Sequence, residues 1–119
     1  KINNCYVICL PGNPVSVQLL YAMLIKPLIE KLSGGNFKLP NSSKIIANFS
    51  MKKKTQRMEW LRIIKKTIKN QDIALKYPKQ GSGMISSVSY SDGILEIDEN
   101  VSEIKRGDIF DFYDFETLF

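Results

Sequence analysis

Apolar residues open this chain in one unbroken run, Tyr6-Val7-Ile8-Cys9-Leu10, and then change rhythm. A short run rich in β-branched and aromatic residues predicts a buried strand. From Val15 to Leu32 the apolar positions recur at three and four, through Leu19, Leu20, Met23, Leu24, Pro27 and Leu28, which predicts a core-facing helix. Pro27 should kink that helix or end its regular bonding, and Gly34-Gly35 should stop it. From Ser33 to Ser43 the composition turns to Gly, Asn, Pro and Ser, the signature of a linker. Short strand-like runs follow at Lys44–Phe49, Ile73–Tyr77, Met84–Tyr90 and Gly107–Tyr113. Ser91-Asp92-Gly93 signals a tight turn, so Val88 to Ile97 reads as a hairpin. Strands at this spacing predict a small barrel or sandwich. Met58 to Ile68 fits both periods: Met58, Trp60, Ile64 and Ile68 alternate, whereas Met58, Leu61, Ile64 and Ile68 mark a helical face.

Composition narrows the class. The 119 residues make one ordinary domain or two small pieces, and 44% hydrophobic with 24% charged residues is usual for a globular chain. No apolar run approaches the roughly 20 residues that cross a bilayer, so no membrane role is expected. Cys5 and Cys9 fall in the first apolar run; on one strand they would sit about 13 Å apart, too far for a disulfide. They read as buried thiols of a cytoplasmic protein. With no histidine in the chain, zinc sites and Ser-His or Cys-His nucleophiles lack their parts. Lys1 is not an initiator methionine, which fits a piece of a longer protein.

Three stretches carry candidate chemistry. Leu10-Pro11-Gly12-Asn13-Pro14-Val15-Ser16 joins the predicted strand to the helix through a stiff bend, with Asn13 as N-cap and Pro14 at the first helical position. Unpaired N–H groups and the positive helix end make a seat for an anion there. Turn chemistry alone also explains every residue. Next, eight basic residues from Lys52 to Lys69 face one acid, Glu59, while nine acids from Asp92 to Glu116 face Lys105 and Arg106. The basic stretch could be a solvated face, an oxyanion site or, with Trp60, a nucleic-acid contact; no nucleic-acid motif accompanies it. Finally, Gln80-Gly81-Ser82-Gly83 could form an anion nest or merely a turn before a strand.

Taken in order, these stretches resemble one family. The segment 10–16, with Lys26-Pro27-Leu28-Ile29-Glu30-Lys31-Leu32-Ser33-Gly34, Lys52–Arg62 and Gln80–Ser87, is similar to the C-terminal part of molybdopterin molybdenumtransferases, the MoeA/gephyrin family. The resemblance implies an α/β fragment, the end of a MogA-like molybdopterin-binding domain, over 1–33, a linker over 34–43, and a small all-β barrel-like domain over 44–119. It also favours a strand for Met58–Ile68. The implied parent enzyme inserts molybdate into adenylylated molybdopterin with release of AMP, assisted by Mg²⁺ whose ligands would lie upstream of this chain. It would be a cytoplasmic homodimer whose sites form where one subunit's α/β domain meets its partner's β-domain, and this chain alone would be inactive. Pro11, Gly12, Asn13, Pro14 and Ser16 would shape the molybdopterin seat; Arg57 and Ser82 would bind molybdate. The family pattern has glycine where Gln56 stands, and glutamine resists the positive φ that glycine permits. A non-catalytic, dimerising scaffold module of the gephyrin type is the alternative.

Overall fold

The structure, a computed structural model, describes residues 2–10, 12, 14–53, 56–77 and 90–119, leaving the Pro14 side chain aside. Five strands close into a barrel in the order β1 (Ser43–Ala47), β4 (Gln71–Lys76), β3 (Glu59–Ile68), β5 (Gly93–Ile97) and β7 (Ile109–Asp114), and β7 returns to β1. Every pairing is antiparallel except β1 with β4, where Ile46 faces Ile73 and Ala47 faces Ala74. A two-stranded sheet of β2 (Met51–Lys52) and β6 (Glu103–Ile104) lies beside the ring.

Alternation along each strand builds the core. Ile45, Ala47, Leu61, Ile63, Ala74, Leu95, Ile97 and Phe112 form one buried cluster, and Ile104 of β6 joins it with Met51, Phe49 and Val101 packed around. Lys69 and Asn70, both at positive φ, turn β3 directly into β4. That conformation matches the twist of a two-residue hairpin. The 58–68 segment is therefore a strand, over Glu59–Ile68.

Ahead of the barrel lies one helical stretch: α1 (Pro14–Leu20), a π-helical turn (Tyr21–Ile25) and α2 (Lys26–Leu32). Pro27 explains the wide turn. It has no N–H to offer Met23, and its ring crowds that carbonyl. The helix widens just before it, so that Lys26 N–H reaches back to the Tyr21 carbonyl. The glycine stop is present as a Schellman motif: Gly34, at φ 96°, donates to Lys31 O at 3.1 Å and Gly35 to Glu30 O at 2.9 Å. The helix buries Val15, Leu19, Ala22 and Met23 against Ile94 of β5 and Leu118, with Trp60, Tyr113 and Phe115 partly covered alongside. Leu118 belongs to α3 (Phe115–Leu118), capped by Asp114, whose carboxylate accepts from Glu116 N–H at 2.9 Å. Each fully buried Val or Leu here contributes about 1.5–3 kcal/mol.

Three expectations change. The run 6–10 is not a strand: Tyr6, Val7, Ile8 and Leu10 lie in irregular, exposed chain. A strand needs a ladder partner, and the ring leaves no open edge. Of the α/β piece, the helix is present and its strand is not. Cys5 and Cys9 are consequently exposed free thiols rather than core residues. On the helix, Leu24 faces solvent, and Ala22 takes a core position that the spacing did not assign to it. Both edges of β5 are filled by β3 and β7, and Val88 and Ser89 of the expected Val88–Ile97 hairpin lie outside the described residues. The expected strand at Met84–Tyr90 lies, but for Tyr90, outside the described residues.

Candidate functional site

Where the helix crosses the barrel wall, it leaves a groove of about 510 Å³ between α1 and the entry to β3. Ser16 and Leu20 line the helix side; Arg57, Glu59, Trp60 and Arg62 line the barrel side. Alternation puts Trp60 and Arg62 on the outer face of β3, while Leu61 and Ile63 point into the core. The helix covers that outer face, so Arg62 is only 6% exposed. Burial lowers its pKa from the ordinary arginine value, yet a guanidinium begins so high that it keeps its charge.

Trp60 is braced from behind. Its indole N–H donates to Glu96 Oε1 at 3.2 Å, and the Tyr113 hydroxyl donates to Glu96 Oε2 at 3.5 Å. Burial first, then the charges of Glu96 and Asp111, raise the Tyr113 pKa, so the phenol stays protonated as a donor. Arg57, by contrast, is exposed at the groove mouth. The residue before it holds φ +67° and donates its N–H to the Glu99 carbonyl at 2.8 Å. Glutamine was expected to resist that conformation; here it adopts it.

The expected site residues divide as follows. Ser16 and Arg57 come together in the groove, within one chain. Gly12 is exposed, with nothing within 4 Å of the place a Cβ would occupy, and Pro14 opens α1. Pro11, Asn13 and Ser82 lie outside the described residues. Arg62, Trp60 and the Glu96 brace were not picked out from the sequence. The clue was present for Arg62: it shares the alternate face of β3 with Trp60. The Glu96 contact crosses strands and has no local signal.

Charges of opposite sign meet across the ring. Lys65 Nζ lies 3.1 Å from Asp114 Oδ2, and Lys44 Nζ lies 2.6 Å from Asp111 Oδ1. Among the described residues, no group of three or more Cys, Asp or Glu side chains is placed to hold a metal ion.

Comparison with known proteins agrees with this architecture. Residues 44–115 match the family described as the MoeA C-terminal region (domain IV). Over 63 residues the chain is 38% identical to a molybdopterin molybdenumtransferase of Haemophilus influenzae, covering 52% of this chain and 16% of that protein. The crystal structure of the molybdopterin biosynthesis MoeA protein from Pyrococcus horikoshii OT3 superposes with a TM-score of 0.68 at 28% identity, over 87% of this chain and 26% of that one. A molybdenum cofactor biosynthesis protein from Pyrococcus furiosus shares the fold, with a TM-score of 0.66 at 23% identity over 87% of this chain and 36% of that one. The chain thus spans about a sixth of the curated relative's length. With a five-stranded ring of this order and a family match over more than half its residues, the chain belongs to the MoeA C-terminal region family.

Proposed function

We propose that this chain is the C-terminal part of a molybdopterin molybdenumtransferase, and that the groove between α1 and β3 receives the anionic end of its substrates. The reaction of the longer protein would be insertion of molybdate into adenylylated molybdopterin with release of AMP. One observation supports the reading above others: Arg57, Arg62 and Ser16 line a single groove. Arg57 offers a planar fork of donors suited to a tetrahedral oxyanion. Buried Arg62 adds fixed positive charge behind it. On the helix side, Pro11, Gly12, Asn13, Pro14 and Ser16 would shape the pterin-phosphate seat, with the Ser16 hydroxyl at the groove wall. Ser82 would supply a further hydroxyl to molybdate.

These groups work by placement and charge neutralisation rather than proton transfer. Mg²⁺ finds no matching ligand set among the described residues, so no step is assigned to it in this chain. The test is calorimetric titration of sodium molybdate into the full-length parent. Arg57→Ala and Ser82→Ala should each weaken binding about tenfold, the cost of one charge-assisted hydrogen bond. Wild-type affinity in both variants overturns the assignment.

A second reading, a protein-association module, draws on a different observation. Tyr21, Leu24, Ile29 and Leu32 on the helix and Tyr6 to Leu10 before it are exposed. Apolar exposure on that scale is a mark of contact surfaces.

A further inference from the structure

Five non-glycine residues among those described take positive φ: Asn3, Asn4, Gln56, Lys69 and Asn70. Four of them form pairs inside two-residue turns. Asn3-Asn4 sits between bridged Ile2 and Cys5, and Lys69-Asn70 between β3 and β4. Hairpin twist demands the left-handed conformation at both positions of such turns. Gln56 sits in neither turn, and its side chain is exposed, so packing does not impose the conformation. Left-handed backbone costs an L-residue about 1–2 kcal/mol. Strain of this kind persists only where surroundings hold it, and it concentrates at ligand-handling positions.

The surroundings are visible on both sides. Gln56 N–H donates to Glu99 O at 2.8 Å, and Lys53 N–H donates to Ser102 O, also at 2.8 Å. The first ties residue 56 to the chain leading into β6, and the second lies next to the last β2–β6 pair, Lys52 with Glu103. The next residue is Arg57 in the groove. Rotation about the N–Cα bond of residue 56 swings everything after it, so an ordinary negative φ would carry Arg57 elsewhere.

We propose that Gln56 is a positioning residue: its left-handed main chain, pinned by Glu99, aims the Arg57 guanidinium into the groove beside Ser16 to meet a tetrahedral oxyanion. The inference rests on the oxyanion reading of that groove. Its agent is the main chain, not the carboxamide. Glycine meets the geometric demand without strain, whereas a β-branched residue opposes it most.

The test titrates sodium molybdate into the full-length parent, with circular dichroism confirming the fold of each variant. Gln56→Val should weaken binding about tenfold, and Gln56→Gly should restore wild-type affinity while raising Tm. If Gln56→Val does not fold, Gln56→Thr keeps the branching with less bulk. Wild-type affinity in the β-branched variant, where Arg57→Ala does lose affinity, overturns the inference and leaves the groove reading standing. Loss of affinity in Gln56→Gly also overturns it, because the carboxamide would then be the contact. Equal binding by wild type and Arg57→Ala sinks the groove reading itself.

Discussion

Lys65 and Asp114 show how single side chains make this protein pH-sensitive. The Asp114 hydrogen bond is the main reason the Lys65 pKa rises above its ordinary 10.5, with Asp72 and Asp92 adding to it and burial opposing. For Asp114, burial alone would raise the pKa; the Glu116 N–H and Lys65 more than offset it, so the value falls below 3.8. Stability from the lysine is therefore complete below 10.5 and lost as pH rises through its higher folded value. Stability from the aspartate is present above 3.8 and lost as pH falls through its lower folded value. Both side chains are about a third exposed or less, so water screens the pair, and about 0.5–1 kcal/mol is expected of it. Thermal unfolding should give a Tm plateau between those limits, and Lys65→Met should lower the plateau and soften both limbs. None of this was legible in the sequence, because residues 65 and 114 meet only through the closed ring. Arg57 was singled out by its place in a basic turn like the family's, and it lines the groove.

Strands and helices divide by how local their cause is. The helix end at Gly34-Gly35 and the disturbance before Pro27 follow from residues a few positions apart, and both appear where the sequence placed them. The strand at Tyr6–Leu10 fails because its stability depends on a neighbour rather than on its own residues. Alternation found β1, β4 and β7 within a residue or two, but it could not say which strands would sit beside β5. Gly93 records that arrangement. A Cβ there would press into the Tyr113 carbonyl and the Phe112 ring across the β5–β7 pair. Gly93→Ala should cost about 3 kcal/mol through this overpacking. The corresponding fall in Tm is on the order of 10 °C, readable by calorimetry.

Taken together, the elements make an elongated body of 52 × 29 × 28 Å with a radius of gyration of 15.6 Å. A compact chain of this length would have about 13.5 Å. On that body the apolar segment 6–10 and the helix residues Tyr21, Leu24, Ile29 and Leu32 are exposed. Sedimentation velocity should show concentration-dependent self-association of this chain, reduced in the double variant Leu24→Lys with Ile29→Lys. A monomer at every concentration argues against the association reading. The helix seat has its own consequence for biosynthesis. Val15, Leu19, Ala22 and Met23 leave the ribosome well before Ile94 and Leu118, the residues on which they rest. Until those residues emerge, that greasy stripe has no native wall to rest on, which is the window in which a holdase chaperone would find it.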